Sequence, residues 1–398
     1  MIFDDINKSY KLAKEYVEKC CIKVHQDGRE ITGFTEHFGK NRVTDWGGTS
    51  SAIYLFNQLG NPENQKDLNN LQLAKEWLLQ DQQEDGSWEA AEMQCCEATS
   101  AVVFDLTSSN SLEKNARDLA IDYILNCYLT SVGAFISRPN INQRPHIYTT
   151  YLAVRALFVC KTKRFDNHIK KRIIDWVNNS KSSDGNWGPS SQSLSGDVAH
   201  TVFALFILYY CGLTKKELYK NYHNNIKWLK RQIKECSDPS AAFKYEAIEV
   251  YDELFNDGLG ESARILKSYH FNIALLCSLF LMLGKLDVSK RLVTVLIKQR
   301  KERGGWGLTT EDKVFVWATQ QAIDCLYNFE KEMLGKHNKC FANVLCKLYS
   351  IPYFKTKLVL AIIIIIAFIL LSKCVNMFWD IVIGIIFLII PWLVKRDD

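Results

Sequence analysis

The sequence predicts an all-α fold built from six helical hairpins. One unit reads Trp77-Leu78-Leu79-Gln80-Asp81-Gln82-Gln83-Glu84-Asp85-Gly86-Ser87-Trp88, an amphipathic helix that ends in a polar turn closed by Gly-x-Trp. The helix that follows, from Cys95 to Phe104, carries small or apolar residues on nearly every face, which is typical of a buried helix. No run of alternating Val, Ile and Thr is long enough to predict a sheet.

The same order of helix, turn, aromatic residue and buried helix recurs along the chain, and a recurrence with such a period indicates a repeat architecture. The turn aromatics that mark the six units are Trp46, Trp88, Phe135, Trp187, Phe243 and Trp306. The predicted outer and inner helices of these units are 10–17 with 49–59, 73–78 with 95–104, 112–127 with 148–160, 169–178 with 197–210, 226–233 with a helix from 269, and 288–300 with 314–326. The fifth unit contains an insertion at 251–255.

Two of these turns carry a resemblance to a known family. Gln82 with Gly86-Ser87-Trp88, and Gln299 with Gly305-Trp306, resemble the Gln-Trp repeats of squalene and terpene cyclases and of protein prenyltransferase β-subunits. The resemblance covers about residues 9–330. It implies an α/α toroid, an α6/α6 barrel in which an inner ring of helices surrounds an apolar cavity and an outer ring faces water.

The domain organisation follows from a change of composition near Lys355. We expect a toroid over 1–335, a linker over 336–354 and a transmembrane hairpin over 355–396, with spans at about 356–373 and 377–394. The apolar runs 358–371 and 377–394 suit a hydrocarbon core of about 30 Å once the first is extended toward its flanking lysines. A buried pair of core helices is the alternative. The basic residues on the ring side of both spans predict an inner-membrane protein whose toroid and termini are cytoplasmic: Lys355, Lys357, Lys395 and Arg396.

Composition adds little about function. Thirteen cysteines occur behind an acidic start, Met1-Ile2-Phe3-Asp4-Asp5, that lacks the apolar core of a secretory leader, so we expect reduced thiols in the cytosol. The formal net charge of +5 is modest for 398 residues. Lys227, Lys230 and other basic residues of the later outer helices fit a solvated face.

Candidate site residues lie at the starts of the inner helices, which converge on one mouth of such a ring. The predicted ligand-binding residues are Glu97, His146, Tyr148, Asp197, His200, Tyr269, His270 and Trp317, with Thr49 at the equivalent place in the first unit. Aromatic walls with a few converging polar groups are what small-ligand sites need.

The resemblance also allows three tests for catalysis. The Asp-x-Asp-Asp of class II cyclases and the Asp-Asp-x-x-Asp of class I enzymes do not occur in the chain. Asp197-Val198-Ala199-His200-Thr201 resembles the segment that carries the zinc-binding His of protein prenyltransferases, but the companion Asp-x-Cys is missing. We therefore assign no catalytic residue and no metal ligand, and the sequence leaves the cofactor open.

Two functions of different classes remain open. The first is a ligand-sensing ring that passes occupancy to a membrane hairpin, a membrane effector of the kind found in bacterial antiviral defence. The second is a membrane-anchored enzyme that acts on an isoprenoid, as the resemblance implies. The sequence analysis favours the first because the catalytic motifs are absent. The expected partners are membrane lipid, a small-molecule, nucleotide or isoprenoid ligand, and further copies of the chain as a homo-oligomer.

Overall fold

The computed structural model describes residues 2–26, 28–39, 46–90, 93–94, 96–139, 145–251, 263–308 and 313–349. The chain divides into two compact units, Ser9–Phe329 and a second made of Met1–Lys8 with Glu330–Asp398. The repeats lie in the first of these units. Everything said below of packing concerns residues of Ser9–Phe329.

Six helical hairpins follow one another along the described chain. Their helices are α1 (Ile2–Lys19) with α2 (Trp46–Leu59), α3 (Gln65–Gln80) with α4 (Cys96–Ser108), α5 (Lys114–Asn126) with α6 (Ile147–Val159), and α7 (Asn167–Asn179) with α8 (Val198–Tyr210); after the short α9 (Lys215–Asn221) come α10 (His223–Cys236) with α11 (Asn272–Met282), and α12 (Leu286–Gln299) with α13 (Val316–Tyr349).

The two helices of a hairpin differ in burial as the sequence predicts. In α8 every residue from Val198 to Leu208 is buried, whereas in α7 only Ile173, Trp176 and Val177 are. A helix buried on all faces belongs inside, and one with a single apolar stripe belongs on the outside. The second helices therefore form an inner ring and the first helices an outer ring, which confirms the predicted α/α toroid.

The expectation of a fold without strands is wrong. The described residues contain four two-stranded antiparallel hairpins, β1 (Cys21–Gln26) with β2 (Arg29–Phe34), β3 (Glu89–Ala90) with β4 (Met93–Gln94), β5 (Tyr128–Leu129) with β6 (Ala134–Phe135), and β7 (Phe243–Tyr251) with β8 (Ala263–Phe271). They lie in the connections from outer to inner helix, where paired strands satisfy backbone groups that no helix uses. Because β8 runs to Phe271, Tyr269 and His270 lie on a strand and not at the start of α11.

One hydrogen bond recurs at the start of the inner helices. The backbone N–H of the turn aromatic donates to the hydroxyl of a threonine in the first turn of the helix, over 3.0 to 3.3 Å, in five units: Phe34 to Thr49, Trp88 to Thr99, Phe135 to Thr150, Trp187 to Thr201 and Trp306 to Thr319. The shared contact gives these inner helices the same start and the same direction.

The tryptophans of the turns make a second repeated bond, to the outer helix. The indole N–H groups of Trp88, Trp187 and Trp306 each donate to an outer-helix carbonyl at 2.7 Å, those of Leu78, Val177 and Leu296 respectively. All three indoles are fully buried. Each tryptophan thereby ties the two helices of its hairpin together.

Phe34, and not Trp46, is the turn aromatic of the first unit. Phe34 makes the threonine bond and is buried, whereas Trp46 is the first residue of α2, is half-buried and has an indole N–H without a hydrogen-bond partner. The sequence predicts Trp46 wrongly as the turn aromatic because Gly48 follows it and resembles the glycine of a Gly-x-Trp turn. A Cβ on Gly48 would lie 2.5 Å from the carbonyl oxygen of Phe34, so this glycine lets β2 approach the helix.

The ring closes between its last and first units. Gln320 and Asp324 of α13 accept hydrogen bonds from Ser51 and Tyr54 of α2, over 2.7 and 2.9 Å. On the outside, a Cβ on Gly304 would lie 2.2 Å from the carbonyl oxygen of Leu12 in α1. Gly86 in the turn of the second unit approaches α5 equally closely, since a Cβ there would lie 2.3 Å from the carbonyl oxygen of Leu119. The contact that closes the ring therefore repeats a contact between two consecutive units.

The predicted transmembrane hairpin lies outside the described residues. Within the part of the chain that the structure describes, no helix combines the length and the apolar character that a membrane crossing needs. Helix α13 continues to Tyr349, through most of the segment that the sequence analysis assigned to a linker.

The indole bond makes a prediction for the second unit. Trp88→Ala should lower the free energy of unfolding by about 3–5 kcal/mol, because it empties a fully buried site. Trp88→Phe should cost about 1–3 kcal/mol, because it leaves the carbonyl of Leu78 buried without its donor. Urea unfolding measures both, with Trp46→Phe as the control that loses no hydrogen bond. An equal loss in Trp88→Phe and Trp46→Phe would contradict the role of the bond.

Ring closure makes a second prediction. Gly185 and Gly304 both have positive φ, at 79° and 84°, but a Cβ on Gly185 would meet open space. Gly185→Ala should therefore cost only the backbone strain of about 1–2 kcal/mol. Gly304→Ala should cost clearly more in urea unfolding, because it also pushes α1 away from the sixth turn. Equal losses would mean that the ring is open at this joint in solution.

Candidate functional site

The structure brings five of the predicted site residues together around three histidine rings. The ring centroid of His200 lies 5.5 Å from that of His146 and 5.3 Å from that of His270, and both pairs meet edge to face. Tyr148 packs on His270 at 4.8 Å. His146 and His200 belong to the starts of α6 and α8, whereas His270 comes from β8, so neighbouring connections converge on one cluster.

Asp197 holds this cluster in place. It caps α8, with one carboxylate oxygen accepting the backbone N–H of His200 at 3.0 Å. Its other oxygen lies 2.8 Å from Nδ1 of His200 and 2.8 Å from Nζ of Lys244. Burial alone would raise the pKa of Asp197, but His200 and Lys244 outweigh it and hold the pKa below its usual range. Asp197 is thus a carboxylate that orients the imidazole of His200.

The other predicted residues make different contacts. Glu97 accepts hydrogen bonds from Ser137, at 2.6 Å, and from Thr149, and its second carboxylate oxygen is buried without a hydrogen-bond partner. Trp317 packs on Phe243 and Phe315. Tyr269 is 40% exposed, and Thr49 serves the turn bond described above. The ligand-binding role of these residues stays a prediction.

The histidine cluster does not fit the zinc that the prenyltransferase resemblance implies. Nδ1 of His200 faces Asp197, and the ring of His200 meets the rings of His146 and His270 edge to face. Among the residues that the structure describes, no group of three or more His, Cys, Asp and Glu side chains is placed to hold a metal ion. No step of a mechanism is therefore derived through zinc.

A second cluster lies inside the ring, and the sequence analysis missed it. On five inner helices the residue five positions after the shared threonine contributes to one level of the interior: Tyr54, Phe104, Arg155, Phe206 and Asp324. Contacts between neighbouring inner helices join this level. The guanidinium of Arg155 in α6 lies 3.9 Å over the ring of Phe104 in α4, which packs on Tyr54 of α2 at 5.9 Å.

Asp105 is the buried acid of this interior. Its two oxygens accept hydrogen bonds from Ser50 of α2, at 2.9 Å, and from Gln320 of α13, at 2.6 Å. Burial raises the pKa of Asp105 to about 6, against the opposing effects of Arg155 and of the two hydrogen bonds. A carboxyl with this pKa exchanges a proton near neutral pH, unlike an exposed aspartate.

Asp324 is held by donors without charge. It accepts hydrogen bonds from Tyr54 at 2.9 Å, from Gln58 at 3.0 Å and from Asn328 at 3.0 Å. Burial and the nearby Asp324 carboxylate raise the pKa of Tyr54, which therefore stays a phenol and a donor. The interior thus presents two carboxyl groups and one guanidinium among aromatic rings.

A lone charge in the middle of a buried helix is the signal that could have revealed this cluster. Asp105 follows Val102-Val103-Phe104, and Arg155 interrupts Leu152-Ala153-Val154 and Ala156-Leu157. Charged residues are almost never buried without a partner or a function. The predicted site was limited to the starts of the inner helices, where the resemblance places functional residues, and it therefore does not include the charged residues in the middle of these helices.

Comparison with known proteins agrees with this fold. Residues 93–249 match the family model described as the prenyltransferase alpha-alpha toroid domain. No curated protein matches the chain.

Several solved structures are similar at low sequence identity. The apo structure of the type II terpene cyclase MstE from Scytonema is 12% identical, with 83% of this chain and 99% of that chain covered and a TM-score of 0.48. The same cyclase in complex with its substrate, geranylgeranyl dihydroxybenzoate, gives the same values. A protein from Actinoplanes is 10% identical, with 84% and 100% covered and a TM-score of 0.46. These distant similarities transfer no residue role. The chain carries an α/α toroid, and residues 93–249 of it match the prenyltransferase alpha-alpha toroid domain.

Proposed function

We propose that the ring binds an isoprenoid in its interior. The observation that carries the proposal is the interior level of aromatic side chains contributed by several inner helices. Tyr151 stacks on Phe203 at 4.6 Å, and Phe206 stacks on Tyr210 at 5.9 Å. Aromatic walls with few polar groups suit an unsaturated hydrocarbon chain, whose double bonds pack against rings and need no hydrogen bonds.

Accessible surface on inner-helix side chains supports the same proposal. Arg155 and Tyr210 lie on neighbouring inner helices and are only half-buried. Phe104 and Asp324 are half-buried as well. Side chains that keep accessible surface beside aromatic rings can contact a bound ligand.

The toroid favours this function over the membrane-effector hypothesis. The family model that matches residues 93–249 is that of an isoprenoid-handling fold, and the described residues offer nothing that supports an antiviral or nucleotide-gated role. Anchoring through the apolar segments 358–371 and 377–394 stays a proposal, in which the tail brings the ring to substrates dissolved in a membrane.

Binding of an uncharged probe tests the proposal. Geranylgeraniol should bind the full chain, and Phe104→Ser should weaken binding about tenfold, because it removes one aromatic wall of the interior. Equilibrium dialysis with labelled geranylgeraniol gives both dissociation constants. Phe38→Ser is the matched control, since Phe38 is 56% exposed on the β2 side of the first unit. Equal weakening in both variants, or no binding by the wild-type chain, would contradict the proposal.

A second candidate function is catalysis, and Asp105 is the observation that favours it. In this proposal the protonated carboxyl of Asp105 gives its proton to a terminal double bond of the bound isoprenoid, leaving a carboxylate and a tertiary carbocation. Ring closure and loss of a proton from the cation then give a cyclic product and restore the acid. The reaction needs no other reactant, and the product has the mass of the substrate.

The pH dependence and one substitution test this role. Only protonated Asp105 can donate, so conversion should fall about tenfold per pH unit above about 6. Asp105→Asn should abolish conversion while geranylgeraniol still binds. Asp324→Asn, which changes the other interior carboxyl, should keep conversion but move its fall to lower pH, because the Asp324 carboxylate helps to raise the pKa of Asp105. Gas chromatography with mass spectrometry detects the isomeric product, and conversion that persists in Asp105→Asn would rule out this acid.

A further inference from the structure

Arg155 is a half-buried cation, and among the residues that the structure describes most of its donors have no acceptor. One guanidinium nitrogen donates to the hydroxyl of Tyr151 at 3.3 Å, and Nε is buried without a hydrogen-bond partner. The flat face of the group is covered by Phe104 at 3.9 Å. A guanidinium presents five N–H donors in a planar fork, so within the described part of the chain most of this fork has no acceptor.

The nearby carboxylates do not complete the fork. Within the described residues of the ring, no carboxylate lies at ion-pair distance from Arg155. Asp105 is bound by Ser50 and Gln320, and Asp324 by uncharged donors alone. Packing an arginine among aromatic side chains is costly unless its charge and donors are met. Here both acids that could meet it are held elsewhere by other donors.

Part of the Arg155 side chain remains accessible beside the aromatic residues. Phe104 covers one face of the guanidinium and Tyr151 accepts from one nitrogen, and the side chain as a whole is only half-buried. The aromatic rings of Tyr151, Phe203 and Phe206 continue from this point along α6 and α8. A ligand in the interior would therefore meet a charged end and an apolar wall.

We propose that Arg155 binds a carboxylate head group of the isoprenoid, with the chain lying along the aromatic wall. This inference rests on the proposed isoprenoid function and names its substrate class, an acyclic isoprenoid acid. A carboxylate matches the planar fork with two parallel hydrogen bonds. A diphosphate carries more negative charge, and Asp105 and Asp324 in the same interior would repel it.

Three probes of equal chain length test the proposal on the full chain: geranylgeranoic acid, geranylgeraniol and geranylgeranyl diphosphate. The acid should bind about ten- to a hundredfold more tightly than the alcohol, the range expected for charge-assisted hydrogen bonds. It should also bind more tightly than the diphosphate. Equilibrium dialysis at pH 8, where the acid is ionised, measures all three constants.

Substitution of Arg155 separates its contribution from that of the chain. Arg155→Met should remove the preference for the acid over the alcohol and leave alcohol binding within about threefold. Arg164→Met is the matched control, since Arg164 is exposed and pairs with Asp122 outside the interior. If Arg155→Met does not fold, the three dissociation constants of the wild-type chain still show whether the interior prefers a carboxylate head group.

The outcomes distinguish this inference from the proposed function. Equal binding of acid and alcohol, or tightest binding of the diphosphate, would overturn the carboxylate site and leave isoprenoid binding intact. Failure of all three probes to bind would overturn both proposals. An acid preference that survives in Arg155→Met would show that another group holds the head.

Discussion

The hydrogen bond from the turn aromatic to the first-turn threonine is the constraint on which the ring depends. It fixes where five of the inner helices begin, and with them the direction and level of every side chain that follows. Because the bond is made by backbone N–H, either Trp or Phe can occupy the turn. Residues at equal distances from the threonine then meet inside the ring, which is how Arg155 and Asp324 share a level with Phe104.

The residues at this level give the interior charged groups beside its aromatic rings. The resemblance implies an apolar cavity, but the structure places two carboxyl groups and a guanidinium within it. Each carboxyl is held by hydrogen bonds from neighbouring helices, so the polar groups are fixed before any ligand arrives. The histidine cluster around Asp197 is built on the same principle at the helix starts, from the cap of α8 and the end of β8.

The sequence predicted much of the fold because its signals are local. Amphipathic outer helices, buried inner helices and Gly-x-Trp turns can be read within one unit, and the described helices agree within a few residues for most of them. Trp46 was misassigned because Gly47-Gly48 imitates a turn, when the glycine serves a close contact with β2 from a distant part of the chain. The grouping of several helix-start residues was predicted, while their ligand-binding role stays a prediction. His146, Asp197 and His200 follow from position in the repeat, but the bonds of Asp105 to Ser50 and Gln320 join residues far apart in sequence, and no local pattern contains them.

The turn aromatics alternate between phenylalanine and tryptophan around the ring, with Phe34, Phe135 and Phe243 in the odd units and Trp88, Trp187 and Trp306 in the even ones. Only the even units can pin their outer helix to the turn through an indole bond. Three of the six hairpins thus have their two helices joined by an indole hydrogen bond, and each of these alternates with a hairpin that has none. We expect slow opening of the ring to begin at the hairpins without the bond. The first of these contains Ser50 and Tyr54, which donate to Asp105 and Asp324, so the hairpin that opens most easily borders the acids of the interior.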